Sequence, residues 1–226
     1  MLERIVDAAL MAFIETGYRQ TGVADIAKAA DVAPGTVYLY VDGKASLFEL
    51  ALRRAFRVPG GLDVPVPFRS STTAHIEEIW QLLIETEALG RLVEAGEVAN
   101  PEDPAGEFEE IVRDIYRWQA HYWRGIALIE TCARDWPELD MLFYRQFRRE
   151  ALNRAATLLE DRATSGHYRA FPDSAVAAHL AMDTISSFAL HRPVAPDSQH
   201  IPDDVAEETV VEMLGAAFIP AWSSRP

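Results

Sequence analysis

Residues 20–44 read QTGVADIAKAADVAPGTVYLYVDGK, and this run determines how the first quarter of the chain folds. Its first half carries apolar side chains three and four residues apart: Val23, Ile26, Ala27 and Ala30. That spacing is typical of one face of a helix. Pro34 then restarts a helix at a position where its missing N–H costs nothing, with Ala33 as the cap. The pattern predicts two short helices joined by a tight turn.

Two helices this short are not stable alone. Residues 2–16 supply a third helix with a broad apolar stripe, formed by Leu2, Ile5, Val6, Ala9, Leu10 and Phe13. Residues 44–56 predict a fourth helix, with Leu47, Leu50 and Ala51 on one face. We call residues 1–56 the N-terminal module. Its pattern predicts a three-helix helix-turn-helix domain followed by a linking helix.

The module carries a set of residues at fixed spacing: Ala9, Phe13, Gly17, Tyr18, Thr21, Val23, Ile26, Ala27, Ala30, Val32, Gly35, Val37, Tyr38, Tyr40, Lys44 and Leu47. In these residues it resembles the DNA-binding domain of the TetR family of bacterial transcriptional regulators, over about a quarter of the chain. Four positions depart from the family pattern, and one of them, Val41, stands where the family usually has phenylalanine. Asp31 replaces the usual glycine of the turn, where Asp tolerates a left-handed backbone. Gly22 replaces the usual cap of the first of the paired helices, so either Thr21 or Gly22 itself is expected to cap it. Asp42 is expected to cap the helix that follows.

The resemblance implies that Thr36, Tyr40 and Lys44 hold DNA phosphates. It also implies that Gly35 lets a base edge approach and that Tyr38 touches a phosphate or a base. We expect Lys28 and Arg19 to help as further cations, which gives about two or three neutralised phosphates per protomer and a salt slope of roughly −4 to −5 for a dimer. The second paired helix has no Arg, Asn or Gln for bidentate base pairing, so specificity is expected to come from thymine methyl groups and DNA shape.

The charge of the chain is unevenly distributed. The net charge is −14, yet the first 57 residues hold seven basic and seven acidic residues, so the negative excess lies entirely beyond them. A single cysteine, Cys132, excludes an internal disulfide framework and favours a small buried side chain. No secretory signal and no apolar run long enough to span a membrane occur, which predicts a cytoplasmic protein.

The rest of the chain predicts helices only. They fall at about 74–99, 105–121, 122–136, 138–165, 173–191 and 203–218, so the expected class is all-α. Residues 57–73 break the helical pattern with three prolines and two adjacent glycines. We therefore predict a helix-turn-helix domain at 1–56, a connection at 57–73 and a helical effector-binding and dimerisation domain at 74–226. The apolar residues of the connection predict packing against that last domain.

Aromatic residues are frequent in the predicted C-terminal domain. They either fill its core or, as the family resemblance implies, enclose an apolar or aromatic small molecule. The candidate ligand-binding residues are Trp80, Trp118, His121, Tyr122, Glu130, Cys132, Phe143 and Phe147. The last two helices carry small and apolar residues that favour a homodimer through a four-helix arrangement. The candidate interface residues are Ala178, Ala181, Met182, Ile185, Phe188, Val210 and Leu214.

Two functions are consistent with these patterns. The first is a repressor that a small molecule releases from double-stranded operator DNA. The alternative is an all-α small-molecule or lipid-binding protein that retains a helix-turn-helix remnant, but a remnant would be expected to lose Gly35, Thr36, Tyr40 and Lys44. No catalytic motif, cofactor loop or metal motif favours an enzyme. His179 and Asp183, one helical turn apart, could hold a metal but are more typical of a helix surface.

Overall fold

The structure is a computed structural model that describes residues 1–70, 87–220 and 222. In these ranges the chain forms helices and no β-strand, which confirms the predicted all-α class. The α-helices are α1 Leu2–Gln20, α2 Val23–Ala29, α3 Pro34–Val37, α4 Lys44–Ala55, α5 Glu87–Glu97, α6 Pro104–His121, α7 Trp123–Ala133, α8 Pro137–Asp140, α9 Arg149–Thr164, α10 Ser174–Ser186 and α11 Asp203–Phe218. Two π-helical stretches, Met141–Arg148 and Ser187–His191, and a 3₁₀ turn, Arg192–Val194, complete the set. No described helix combines the length and apolar character that crossing a bilayer requires.

The described residues form two compact units. The first contains residues 1–70 and Arg124–Arg145, and the second contains residues 87–123 and 146–222 without 221. The predicted division at 57–73 remains a prediction. The structure adds that residues 124–145 pack with the N-terminal module, which the sequence pattern did not indicate.

Helix α1 forms the centre of the first unit. Its side chains Ile5, Val6 and Phe13 are fully buried, as are Leu47 and Leu50 of α4. These are the stripes that the sequence predicted. The helix extends four residues beyond its predicted end because Gly17 adopts a positive φ of 80° and the chain resumes a helical turn beyond it.

Helices α7 and α8 pack on the N-terminal module through close aromatic contacts. The Trp136 ring lies 4.9 Å from the Tyr18 ring and 5.0 Å from the Phe48 ring, measured between centroids. The Phe56 ring lies so close to Gly125 that a Cβ there would stand 2.6 Å from its Cζ. Only glycine allows this approach. The contacts attach residues 124–145 to both α1 and α4.

Residues 58–70, here called the strap, lie against the N-terminal module. The Phe68 N–H donates to the Tyr40 carbonyl oxygen at 2.8 Å, and the Asp42 N–H donates to the Phe68 carbonyl oxygen at 3.0 Å. The Ser70 N–H donates to Ser46 Oγ at 2.8 Å. These bonds hold the second half of the strap to the chain just after α3. The expectation that the segment packs against the C-terminal domain stays a prediction.

The second unit is a bundle of α5, α6, α9, α10 and α11. Helices α6 and α10 begin at an aspartate cap, Asp103 and Asp173, whose carboxylates accept a backbone N–H three residues on. The shared core is apolar and includes Ile111, Val112, Ile115, Leu158, Ile185, Val210 and Leu214. The predicted helix at 74–99 is present from Glu87 to Glu97, and its first part lies outside the described residues.

Candidate nucleic-acid interface

The turn between α2 and α3 has the geometry that the sequence predicted. Asp31 adopts a left-handed φ of 52°. Its N–H donates to the Lys28 carbonyl oxygen at 3.1 Å, and the Val32 N–H donates to the Ala27 carbonyl oxygen at 3.0 Å. This pair of bonds is a Schellman motif, which closes the end of α2. Asp31 thus serves in place of the glycine usual at such turns.

The caps of α2 and α4 differ from one another. Gly22 caps α2, and its N–H donates to Asp25 Oδ2 at 3.1 Å. The predicted capping of α4 by Asp42 is wrong, because α4 follows Gly43 with no side-chain cap. The Asp42 carboxylate instead accepts a hydrogen bond from the hydroxyl of Ser46. The carboxylate thus bonds a side chain inside the helix and not a backbone N–H at its start.

Helix α3 is short and presents most of its residues to solvent. Only Val37 is fully buried, whereas Tyr38 is 53% exposed and Leu39 68% exposed. A Cβ built on Gly35 would meet no atom within 4 Å. Of the predicted DNA-contacting residues of this segment, Gly35 and Tyr38 therefore lie on open surface, and Thr36 and Tyr40 are half-buried. We call Gly35, Thr36, Tyr38, Leu39 and Tyr40 the recognition face.

Leu39 belongs to this face although the site prediction left it out. Its position among the outward-pointing residues around Val37 was the signal that could have identified it. A large apolar side chain with this exposure matches the expectation of contact with thymine methyl groups.

The Lys44 side chain is held by the end of α1. Its Nζ donates to the Arg19 carbonyl oxygen at 3.2 Å and lies 4.5 Å from the Tyr18 ring centroid. Burial lowers the pKa of Lys44 from its ordinary value. The other predicted cations, Arg19 and Lys28, are exposed. The structure thus brings Lys44 and the backbone of Arg19 together.

The strap adds a cation that the sequence prediction missed. Phe68 forms an isolated parallel bridge with Val41, and Arg69 follows it as an exposed residue. The bridge places the Arg69 backbone beside the chain that runs from Tyr40 to Lys44. Spacing along the sequence gives no signal for this, because the contact joins residues far apart in the chain.

The predicted ligand-binding residues divide between the two units. Trp80 lies outside the described residues. Glu130, Cys132 and Phe143 belong to the first unit, whereas Trp118, His121, Tyr122 and Phe147 belong to the second. Cys132 is fully buried, and its Sγ lies 3.8 Å from the carbonyl oxygen of Phe13. Burial raises the pKa of the Cys132 thiol to about 12. Cys132 therefore packs against α1 as a neutral, apolar side chain.

The four candidates of the second unit lie close together. The Trp118 ring centroid lies 5.7 Å from that of Phe147 and 5.9 Å from that of Tyr122. The His121 and Tyr122 rings meet edge to face at 4.5 Å. These distances are typical of aromatic packing and form one aromatic group at the end of α6.

The predicted dimer residues are mostly occupied inside the protomer. Ala178, Ile185, Val210 and Leu214 are buried in the core of the second unit, and Ala181, Met182 and Phe188 pack partly against it. The exposed apolar residues of α10 and α11 are others: Val176, Leu180, Val205 and Met213. Leu180 is 63% exposed and Met213 60% exposed. The open apolar face of these two helices therefore follows a different stripe from the predicted one.

His179 and Asp183 do not form a metal centre in the described structure. The Asp183 carboxylate accepts a hydrogen bond from the Arg148 guanidinium at 2.6 Å. Within the described ranges, no group of three or more His, Cys, Asp or Glu side chains could hold a metal ion. The pair occupies an exposed helix surface.

Comparison with known proteins agrees with the geometry of the N-terminal module. Residues 5–51 match the model of bacterial regulatory proteins of the tetR family. Over 44 residues the chain is 48% identical to the fatty acid metabolism regulator protein of Bacillus subtilis (strain 168), covering 20% of this chain and 23% of that protein. Over 85 residues it is 28% identical to the biofilm operon icaADBC HTH-type negative transcriptional regulator IcaR of Staphylococcus aureus (strain Newman), covering 38% and 45%. The matched part spans less than half of each curated relative.

One solved structure resembles the fold over nearly the full length. It is a member of the TetR transcriptional regulator family from Streptomyces coelicolor A3, with a TM-score of 0.56 and 21% sequence identity. The match covers 93% of this chain and 87% of that chain. At this identity the likeness concerns the fold alone, namely an N-terminal helix-turn-helix followed by a helical domain.

Proposed function

We propose that the chain is a DNA-binding repressor of the TetR family of bacterial regulatory proteins, released from its operator by a small apolar or aromatic molecule. One observation carries this proposal. In α3 and the two residues after it, Val37 alone is fully buried, whereas Gly35, Tyr38 and Leu39 lie on open surface. A structural remnant has no need of such a surface, whereas a helix that enters the major groove does.

We propose that the recognition face makes two kinds of contact. The hydroxyl groups of Thr36, Tyr38 and Tyr40 donate to phosphate oxygens and fix the register of the protein on DNA. Leu39 and the open backbone at Gly35 approach the base edges. Sequence preference then comes from thymine methyl groups and from DNA shape, because this face carries no side chain capable of bidentate base pairing.

Lys44 supplies a phosphate contact only after leaving its position at the end of α1. A phosphate oxygen replaces the Arg19 carbonyl as the acceptor, and because both partners of the new bond are charged it is stronger than the bond to the neutral carbonyl. We include Arg69 as a further contact to the DNA phosphates, because the strap holds it next to the segment that follows α3.

A palindromic operator calls for two recognition faces, so we propose a homodimer. Its interface uses the exposed stripe of α10 and α11, formed by Val176, Leu180, Val205 and Met213. Burying this stripe against its copy removes apolar surface from water, at about 25 cal/mol for each Å² buried. Small neighbours such as Ala216 and Ala217, both exposed, allow the two helices to approach closely.

The proposed release acts through α7 and α8. The chain runs from α6 directly into α7, and Trp136 at the start of α8 packs on Tyr18 and Phe48 of the N-terminal module. If a ligand shifts the end of α6, the displacement would pass along the chain through α7 and α8 to α1 and α4. Coupling of this kind is typically about 1–3 kcal/mol, and operator DNA must weaken ligand binding by the same factor.

Selection of DNA from a random duplex library tests the proposal. The selected duplex is then titrated, by fluorescence anisotropy, with the wild type, with Thr36→Ala and with Tyr40→Phe. We expect each variant to weaken binding several-fold, whereas Thr157→Ala, an exposed hydroxyl on α9, leaves the affinity unchanged. Failure to enrich any sequence, together with non-specific binding that is equal in all four proteins, would instead favour a binding protein with a helix-turn-helix remnant.

A further inference from the structure

Two consecutive residues of α6 carry buried polar atoms that have no hydrogen-bond partner within the described ranges. They are the indole nitrogen Nε1 of Trp118, a donor, and the amide oxygen Oε1 of Gln119, an acceptor. The Gln119 residue is only 6% exposed. Leaving such groups unpaired away from water costs about 1–3 kcal/mol each, so nearly all buried polar groups in proteins are paired. Two in succession indicate a site that a polar molecule completes.

Both groups lie at the junction of three helical segments. The Gln119 amide nitrogen Nε2 donates to Met182 Sδ of α10 at 3.3 Å. The Trp118 ring packs 5.7 Å from Phe147, near the end of the π-helix Met141–Arg148. The ion pair between Arg148 and Asp183 joins the residues that follow Phe147 and Met182. Consecutive residues on each segment therefore meet at one place.

The π-helix supplies independent support for a site here. π-Helical turns are rare and are frequently found at functional sites. This one ends at Arg148, next to Phe147 in the junction, and a second π-helical stretch, Ser187–His191, continues α10 beyond Met182. The first π-helix thus ends at the junction, and the second begins five residues beyond Met182 on the same continuous helical segment.

The amide orientation of Gln119 determines what the site accepts. With Nε2 against the Met182 sulfur, a weak acceptor, the oxygen Oε1 faces away from it; the reverse orientation would place two acceptors together. The unpaired atoms are therefore one donor and one acceptor. The guanidinium at the junction, that of Arg148, is neutralised by Asp183. A carboxylate offers no donor for Gln119, and the cation it would meet at the junction already has a partner.

We propose that Trp118 and Gln119 are the polar anchors of the effector site, and that the effector is an uncharged apolar molecule carrying a hydroxyl group. A hydroxyl both accepts, here from Trp118 Nε1, and donates, here to Gln119 Oε1. Met182, Phe147 and Tyr122 then contact its apolar part. This inference rests on the proposed sensor role, but it concerns ligand binding in the absence of DNA.

The probes are three compounds of one size: 4-propylphenol, propylbenzene and 4-propylbenzoate, titrated calorimetrically into the full-length protein at neutral pH. We expect the phenol to bind about tenfold more tightly than the other two. Trp118→Phe and Gln119→Met should each reduce this advantage roughly three- to tenfold, the effect of removing one hydrogen bond. The affinity for propylbenzene, which has no hydroxyl group, serves as the internal reference for any change that a substitution makes in the shape of the site.

Tyr116→Phe is the matched control on the same helix, because the Tyr116 hydroxyl already bonds Asp203 Oδ1 at 3.1 Å. It should leave the ratio of phenol to propylbenzene affinity unchanged. Gln119→Leu replaces Gln119→Met if the latter fails to fold. Equal affinities for phenol and propylbenzene, tighter binding of the benzoate, no binding of any probe, or an unchanged ratio in both site variants would each overturn the inference. If the separate DNA experiment showed no specific operator binding, that result would overturn the proposed function alone, because these calorimetric titrations contain no DNA.

Discussion

The ammonium group of Lys44 lies 4.5 Å from the centre of the Tyr18 ring, and it also donates to the Arg19 carbonyl oxygen. A cation–π contact of this kind contributes about 0.5–1 kcal/mol at an exposed site. The cation that family resemblance assigns to DNA is therefore occupied in the free protein. Binding DNA exchanges these contacts for a phosphate, so the net gain from Lys44 is smaller than that of a free lysine.

Lys44→Met tests the phosphate contact, because methionine retains much of the stem without the charge. Every phosphate that a protomer no longer neutralises makes the salt slope shallower by about 0.9, so the variant dimer should have a slope about 1.8 shallower than the wild-type value of roughly −4 to −5. The measurement is operator affinity across salt concentrations. Arg134→Met, an exposed cation outside the N-terminal module, is the control. An unchanged slope in Lys44→Met, or a wild-type slope steeper than about −8, would refute this account.

The strap stabilises the segment behind the recognition face. Phe68 is half-buried, its ring lies 5.4 Å from the Arg53 guanidinium, and its backbone bonds Tyr40 and Asp42. We expect Phe68→Ala to lower the free energy of unfolding by about 2 kcal/mol, less than the cost of removing a fully buried phenylalanine. Denaturant unfolding measures this. Val66→Ala, at an exposed apolar position of the same strap, should stay within about 0.5 kcal/mol of the wild type, and an equal loss in both variants would contradict a specific role for Phe68.

The parts of the fold that the sequence predicted are those governed by local signals. Pro34 starts a helix through its fixed φ, Asp31 tolerates a left-handed turn, and Val37 is the inward residue of a four-residue helix. Each follows from the residue itself and its near neighbours. The recognition face was predictable for the same reason, since the residues around one buried valine must point outward.

Other features depend on which distant surfaces meet. Nothing local to Trp136 indicates that its ring packs on Tyr18 and Phe48, so residues 124–145 were assigned by position along the chain. Asp42 could bond a backbone N–H or the Ser46 hydroxyl, and the two are chemically equivalent for a carboxylate. An apolar residue such as Ile185 satisfies a protomer core as well as a dimer interface, and only the fold decides between them.

Cys132 should behave as an inert thiol. Burial keeps the folded-state pKa near 12, above the ordinary value of 9.0, so the native thiol stays protonated and reacts slowly with Ellman's reagent. Above pH 9 the unfolded chain releases this proton and the folded chain does not. The free energy of unfolding of the wild type should therefore fall as the pH rises from about 9 to about 12. The fall should exceed that of Cys132→Ala by up to about 1.4 kcal/mol per pH unit. Equal pH dependence in the two proteins, or fast native labelling, would show that the thiol is accessible.

The exposed stripe of α10 and α11 should hold the proposed dimer together. Leu180→Glu and Met213→Glu each place a charge in a face expected to be dry, and both should give monomers in light scattering at micromolar concentration. Val194→Glu is a matched control, because Val194 is an exposed valine outside these two helices. The helices themselves should persist by circular dichroism. Dimers that survive both substitutions would move the interface elsewhere.

The second unit encloses a buried ion pair whose removal should be costly. The Arg162 side chain is only 2% exposed, and its guanidinium bonds both oxygens of Glu107, at 2.7 and 2.8 Å, and the Ala95 carbonyl oxygen at 2.8 Å. The Tyr168 hydroxyl donates to the same carboxylate at 3.0 Å. Burial and the Glu107 charge raise the pKa of Tyr168, so its proton stays in place throughout the physiological range.

Glu107→Leu leaves the Arg162 charge buried without its partner and should lower the free energy of unfolding by about 3–5 kcal/mol. The double variant Glu107→Leu with Arg162→Met replaces both charges by apolar groups, so it should be more stable than Glu107→Leu alone. Urea unfolding of the wild type, Glu107→Leu, Arg162→Met and the double variant gives the coupling energy between the two charges. Glu150→Leu, which breaks the solvent-exposed pair with Arg154, should cost less than about 1 kcal/mol. If the two single losses simply add in the double variant, the pair is not coupled and the stability of this unit lies in its apolar core.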